Sequence, residues 1–355
     1  MYTIDGLFLT QRITGIQRYA FELCLEIDKK IDKDVLEILV PANIDETIKK
    51  NIPEYKNIKV TYYGKYNGIK WQQIDLANYL RKNKRKGQFL TNIFPLSYPK
   101  GNITIHDVSY KANPNFFTSK RDRISALWHR LNYWVAAKSK MQILTDSYFS
   151  RDEIIKYYHV NPKRIKVVYV GWQHMQRICE ADDTYKRYAE LENKEYYFAM
   201  STLAPNKNFK WIIEAARQNP DSIFAIAGGG ALKENEEAKR LNNLCLLGYV
   251  TDEDAKILMK NCKAFIFPTL YEGFGMPPLE AIASGARCII ISDTPCMKEV
   301  YTDNAVYISP EKYTHIDFEQ IGHLEDVHNY EHLLSRYSWE KSAKKILHMI
   351  DNGQD

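Results

Sequence analysis

The segment Tyr271–Gly285, YEGFGMPPLEAIASG, sets two carboxylates, Glu272 and Glu280, eight residues apart around a glycine-rich turn. The apolar run Ala264–Phe267 ahead of it reads as a strand that stops at Pro268, so the turn falls at a carboxyl edge, where open α/β sheets bind ligands. Gly273 and Gly275 let backbone approach a ligand closely, and Pro277 and Pro278 suit the first turn of a helix. The unbonded N–H groups and dipole of that helix make an anion site suited to a diphosphate. A carboxylate beside a diphosphate must do something other than bind phosphate. It can accept two hydrogen bonds from a vicinal diol, such as a ribose or a hexose, or stabilise positive charge growing at an anomeric carbon. The plainer reading has Glu280 complementing a helix N-terminus and Glu272 solvated. The string as a whole favours the ligand reading.

These residues need a frame. Short apolar runs alternate with helical patterns over most of the chain, which predicts an α/β protein with parallel sheets. In the first half Tyr2–Ile4, Leu36–Val40, Ile58–Tyr62, Ile103–Ile105, Met141–Leu144 and Ile165–Val170 read as strands. Ile16–Ile31 and Ile124–Ala137 carry apolar residues at helical spacing, and Ser150 with Glu153 spells a capping box that would open a helix over Asp152–Tyr158. The polar, charged stretch Cys179–Glu195 reads as the linker or domain boundary. Strands at Tyr196–Met200, Ile223–Ala227, Leu244–Leu247, Ala264–Phe267 and Cys288–Ile291 follow, with a helix at Trp211–Gln218. Two doubly wound domains facing a central cleft, residues 1–175 and 176–337, are the simplest architecture. A last helix near Trp339–Ile350 has Ala343, Ile346, Leu347 and Ile350 on one face, which needs a partner.

At 355 residues the chain is long enough for two cores, and its 45% apolar and 26% charged residues are those of a folded soluble protein. No run approaches the roughly 20 apolar residues of a membrane-spanning helix. Asp5, Gln11 and Arg12 interrupt any signal-peptide pattern. Cys24, Cys179, Cys245, Cys262, Cys288 and Cys296 are scattered without a CxxC pair, as expected for buried, reduced thiols of a cytoplasmic protein. Charge is uneven: residues 1–180 hold 30 Lys and Arg against 17 Asp and Glu, net +13, and the remainder 19 against 27, net −8. The first half is therefore expected to face something anionic. Its densest stretch, Arg81, Lys82, Lys84, Arg85 and Lys86, also fits a solvated helix end and loop. Asp252-Glu253-Asp254 spells D-x-D, which elsewhere holds a divalent ion. Thr251 ahead of it marks a helix start, whose dipole accounts for the acids, so no required metal is expected.

Tyr271–Gly285 resembles the E-x7-E motif of family-4 (group 1) retaining glycosyltransferases, which have the GT-B fold. The resemblance implies two Rossmann-like domains, with Glu280 on the donor ribose, Glu272 on the donor sugar, and Phe274, Gly275, Met276 and Pro277 lining the donor. It extends over nearly the whole chain. Ser201–Asn208, STLAPNKN, resembles the family's diphosphate loop, in which Lys207 would neutralise the phosphates; Thr202 and Asn206 stand where many relatives carry an arginine. Gly248–Val250 and the glycine run 228–230 resemble loops around the base, placing Val250 near the donor. Thr14–Arg18 resembles the loop that closes over phosphate and acceptor, which implies Gly15 beside the donor and Arg18 towards the acceptor. His106-Asp107 resembles the HD pair whose histidine reaches the donor sugar, although a strand-end histidine by itself also fits a structural hydrogen-bonder. Asp146-Ser147 and Gly171-Trp172 match positions lining the cleft, and the helix at 338–355 would return to complete the first domain.

The same resemblance implies transfer of a sugar, with retention, from a UDP-, GDP- or dTDP-sugar to an acceptor hydroxyl, with no cofactor. No Ser/His/Asp or Cys/His nucleophile is evident; the leaving phosphate would take the acceptor proton. The opening IDGLFLTQRITGIQRYA resembles bacterial transferases that build capsule or O-antigen units, some of them rhamnosyl- or mannosyltransferases. That implies a saccharide or lipid-diphosphate-linked acceptor at the inner face of the cytoplasmic membrane. Trp128, Tyr133 and Trp134 beside Arg121, Arg123 and Arg130 suit contact with anionic lipid, or else pack inside the first domain. The competing readings are a nucleotide-sugar epimerase, a glycoside phosphorylase, a non-catalytic partner subunit and a basic nucleic-acid-binding protein. The E-x7-E spacing speaks against the first, the short chain against the second, intact Glu272, Glu280 and Lys207 against the third, and the lack of a recognisable nucleic-acid module against the last.

Overall fold

A computed structural model of the chain describes residues 1–33, 35–202, 204–228, 236–313, 316, 318 and 329–352. It divides into two compact units, Met1–Gly171 with Trp339–Asp355, and Trp172–Ser338.

Among the described residues the first unit is built on seven strands: β1 (Tyr2–Asp5), β2 (Glu37–Pro41), β3 (Lys59–Tyr63), β4 (Lys86–Phe89), β5 (Gly101–Thr104), β6 (Gln142–Thr145) and β7 (Ile165–Val167). They lie in the order β3-β2-β1-β4-β5-β6-β7, all parallel. Ile4, Ile38, Leu39, Val40, Phe89, Ile103 and Ile143 are buried, as expected of parallel strands covered on both faces. The helix Gly15–Asp28 turns Tyr19, Ala20, Leu23 and Ile27 inward. The helix Trp339–Asn352 packs on it and covers its own apolar face, Ala343, Ile346 and Ile350. Ser342 Oγ donates to Tyr169 O, Lys30 Nζ lies 2.9 Å from Glu340 Oε1, and the rings of Tyr19 and Trp339 meet edge to face at 6.0 Å.

Two expectations for this unit change. Strand β4 sits in the middle of the sheet, where the sequence shows only a charged loop end. At its Gly87 an added Cβ would collide with the tip of the Phe89 ring, and its buried Gln88 accepts from Asn102 Nδ2 at 2.9 Å. A strand made of Lys, Gly, Gln and Phe gives no apolar alternation to read. Arg85, at its start, is not simply solvated; its guanidinium meets Glu37 Oε2 at 2.6 Å. The helix after β6 runs Tyr148–Tyr158, not Asp152–Tyr158: Ser147 is its cap, accepting from Ser150 N at 3.0 Å, while Ser150 Oγ donates to His106 O.

The second unit repeats the plan with six described strands, β8 (Tyr196–Met200), β9 (Ile223–Ala227), β10 (Leu244–Gly248), β11 (Ala264–Phe267), β12 (Ile289–Ser292) and β13 (Val306–Ile308). The order is β10-β9-β8-β11-β12-β13, again parallel. Short β13, with two half-buried residues of three, was not foreseen. Cys179–Glu195 is no linker. It belongs to this unit, where Arg187 reaches the buried Asp254 carboxylate at 2.5 Å and Thr184 Oγ donates to the same group at 2.8 Å. These partners, with the Thr251 cap, account for Asp254 of the D-x-D string. Cys179 itself is exposed, against expectation. Of the glycine run 228–230, residues 229 and 230 lie outside the described residues. Strand order reverses between β8 and β11, and the loops beyond the carboxyl ends of strands at such a reversal are where open α/β sheets bind ligands.

Candidate active site

The loops after β8 and β11 are tied to each other at that reversal. Leu270 N donates to Asn206 O at 2.7 Å, Thr269 Oγ to the same carbonyl at 2.9 Å, and Asn206 Nδ2 to Tyr271 O at 3.0 Å. Asn208 takes a left-handed conformation, φ +56°, and its amide donates to Pro268 O and Pro310 O. Asn is among the few side chains that accept this region cheaply. The result is a rigid clasp that carries the ionic pair of the site: Lys207 Nζ lies 2.6 Å from Glu272 Oε1, which also accepts from Thr269 Oγ at 2.7 Å. Both side chains are mostly enclosed, 17% and 12% exposed. The structure therefore joins Lys207 and Glu272 directly, a contact the spacing in the sequence did not show. Asn206 serves as loop clasp through its side chain, and Thr202 is exposed.

Beyond Glu272 the chain turns through Gly275, φ +81°, into the helix Met276–Ser284, with Pro277 and Pro278 in its first turn. The left-handed conformation at Gly275 demands glycine, and an added Cβ would in addition push against the terminal methyl of Met297. Tyr301 donates its hydroxyl to Gly275 O, and the buried Phe274 ring stands edge-on to Tyr337 at 5.2 Å. Met276 and Pro277 are half-buried at the turn. Glu280 is buried one turn into the helix, and its Oε1 accepts from His174 Nε2 at 2.9 Å. His174 follows Trp172, whose indole donates to Leu334 O, and Gln173, whose amide donates to Tyr337 O. Sequence reasoning missed His174. Its signal was slight, a histidine three residues after Gly171. Val250 is buried beyond β10, whereas its neighbour Tyr249 is exposed.

In the first unit, His106 follows β5 and is buried. Its Nδ1 lies 2.7 Å from Asp146 Oδ2 and its Nε2 lies 3.1 Å from Leu90 O. A carbonyl only accepts, so Nε2 carries a proton; the carboxylate on the other side calls for a second one on Nδ1. Burial would lower the pKa of this imidazole, but the Asp146 charge, the hydrogen bond to it and the Leu90 carbonyl outweigh burial and raise it above the ordinary value. Both ring nitrogens are thus engaged by the protein. Asp107 Oδ1 accepts from Ser109 N at 2.7 Å, at the start of the short helix that follows. Ser147 is buried as a helix cap, Gly15 is exposed at the start of the helix Gly15–Asp28, and Arg18 is half-buried one turn along it. Of the aromatic group on the helix Lys120–Lys138, Tyr133 is buried and Trp128 half-buried, while Trp134 is exposed.

Residues 181–320, which hold Lys207, Glu272 and Glu280, match the family model "Glycosyl transferases group 1". O-antigen chain mannosyltransferase RfbU of Salmonella typhimurium is 27% identical over 254 residues, covering 69% of this chain and 67% of its own. UDP-Gal:alpha-D-GlcNAc-diphosphoundecaprenol alpha-1,3-galactosyltransferase of Escherichia coli is 25% identical over 274 residues, covering 72% and 67%. Among solved structures, Anabaena Alr3699/HepE in complex with UDP-glucose superposes with a TM-score of 0.69 at 16% identity, over 99% of each chain. Two parallel Rossmann-like sheets with such a neighbour are the GT-B fold, and the chain, which carries a group 1 glycosyltransferase domain at 181–320, is a glycosyltransferase.

Proposed function

We propose that the enzyme moves a sugar, with retention, from a nucleotide-diphosphate sugar to a saccharide acceptor in the assembly of a cell-surface polysaccharide. The observation that carries this reading is the Lys207–Glu272 pair at the strand-order reversal of the second sheet, one tight turn ahead of the helix that bears Glu280. Lys207 and the helix N-terminus at Met276 receive the diphosphate, Glu272 the donor sugar and Glu280 the ribose diol. As the anomeric C–O bond to phosphate breaks, the departing phosphate oxygen takes the proton of the acceptor hydroxyl, so that no protein base is required. We assign His106 to the framework instead of to sugar contact, since its two ring nitrogens serve Asp146 and Leu90. Arg18 and Asp107 of the first unit are assigned to the acceptor.

The named substrates of the relatives support a mannosyl or galactosyl donor and a lipid-diphosphate acceptor. One surface supports action against a membrane. On the helix Lys120–Lys138, Ile124, Leu127, Leu131 and Trp134 recur at spacings of three and four and are 69%, 65%, 44% and 55% exposed, with Lys120, Arg121 and Arg123 exposed at its start. Such a stripe beside cations suits the interface of an anionic bilayer. No described helix is long and apolar enough to cross one. The reading is tested by thermal stabilisation with UDP-, GDP- and dTDP-sugars, followed by transfer to a lipid-diphosphate saccharide in the presence and absence of EDTA. Stabilisation by one donor class and product with the same anomeric configuration as the donor support it. No stabilisation by any donor refutes it, and activity lost to EDTA and restored by a divalent ion refutes the metal-independent mechanism.

A further inference from the structure

Glu280 does not stand alone on its helix. His174 Nε2 lies 2.9 Å from Glu280 Oε1, with the His174 side chain 1% exposed. The segment that delivers this histidine is pinned just ahead of it, by Trp172 Nε1 to Leu334 O at 2.9 Å and Gln173 Nε2 to Tyr337 O at 3.1 Å. A carboxylate only accepts, so His174 Nε2 carries the proton, and the bond is charge-assisted and directional. A glutamate has three rotatable side-chain bonds, and recognition of a vicinal diol requires both carboxylate oxygens in one plane set by the two hydroxyls. An unanchored Glu280 would have to give up that freedom each time a ligand bound; one already held by a buried imidazole does not.

We propose that His174 is a positioning residue for nucleotide recognition, holding the Glu280 carboxylate in the orientation that receives the ribose 2′- and 3′-hydroxyls of the donor. The inference rests on the assignment of Glu280 to the ribose, and the test separates the two. UDP and GDP, and their 2′,3′-dideoxy counterparts, are titrated calorimetrically into the full-length protein, its Glu280→Ala variant, and the variants His174→Ala and His174→Gln, each checked for an unchanged melting profile. Gln places an amide N–H near the position of Nε2 and so replaces the donor without the ring. The wild-type protein is expected to prefer the ribonucleotide over the dideoxy form by about tenfold or more, and Glu280→Ala to abolish that preference. His174→Ala should weaken the ribonucleotide by about 5- to 20-fold, around the low end of what one hydrogen bond to a charged group is worth because Glu280 itself is retained, and leave the dideoxy form within about twofold. His174→Gln should recover most of the lost preference. If Glu280→Ala erases the preference and His174→Ala retains it, or if His174→Ala weakens both ligands equally, the positioning role is overturned while the ribose assignment stands. Absence of any preference in the wild type overturns both. Should His174→Ala fail to fold, His174→Gln decides: a preference lost with the amide donor in place overturns the role.

Discussion

The pairing of Lys207 with Glu272 carries a consequence opposite to the usual effect of damaging a binding site. The lysine is expected to neutralise the donor diphosphate, yet without ligand it is held at 2.6 Å by a carboxylate that also takes the Thr269 hydroxyl. An ion-paired hydrogen bond of this kind is worth about 1.5–3 kcal/mol net, and with both side chains more than four-fifths enclosed little of that is lost to solvent screening. A nucleoside diphosphate without its sugar must draw Lys207 away while leaving Glu272 nothing in return. Glu272→Gln removes the competing charge and keeps the shape. It should therefore tighten UDP or GDP, about tenfold if roughly 1.4 kcal/mol of the pair is released, while turnover of the intact nucleotide sugar falls. Lys207→Met should weaken the same ligand by about ten- to a hundredfold. The double variant isolates the pair, because simple removal of a negative charge near the phosphates acts in either background whereas release of Lys207 needs Lys207. Isothermal titration at fixed ionic strength reads all four corners. A gain on Glu272→Gln that is as large in the Lys207→Met background as in the wild type, or no gain at all, would refute competition between Glu272 and the diphosphate.

Three further outcomes are expected. Because the folded value for His106 lies above the ordinary histidine value of about 6.5, the native state holds the extra proton, so its contribution to stability is complete below that pH and is lost as pH rises through the folded value. Urea midpoints measured across that interval should fall in the wild type and lose this slope in His106→Gln; an unchanged slope would show that the pair with Asp146 is not charged. Gly275→Ala should cost about 2–4 kcal/mol, combining a left-handed alanine with crowding against Met297, and Met297→Ala should recover only the second part. A loss below about 0.5 kcal/mol would mean that the turn has relaxed. Replacing Leu127 and Leu131 with Glu should lower sedimentation with anionic vesicles at least about fivefold without changing turnover of a water-soluble acceptor, whereas vesicle binding that survives would remove the helix Lys120–Lys138 from the membrane proposal.

Much of this protein could be read before folding. The parallel α/β plan came from apolar runs alternating with helical periodicity, since strands buried on both faces must be apolar throughout. Elements with weak patterns escaped: β4 is defined by what its neighbours leave room for at Gly87 and by the Gln88–Asn102 hydrogen bond, and β13, at three residues, is too short to show a period. The local geometry of the loop from Glu272 to Glu280 was also legible in Gly275 and the paired prolines, because a turn at a strand end and a helix start are local events specified by adjacent residues. What those residues touch was not. Lys207 lies 65 positions from Glu272, His174 106 from Glu280 and His106 40 from Asp146, and no periodicity reports a contact between segments so far apart. Tertiary structure decided that Lys207 waits on a carboxylate, that Glu280 is held by an imidazole and that His106 spends both nitrogens on the protein. The physical reason is common to all three: a buried charge needs a partner, and only the folded chain determines which group is near enough to supply it.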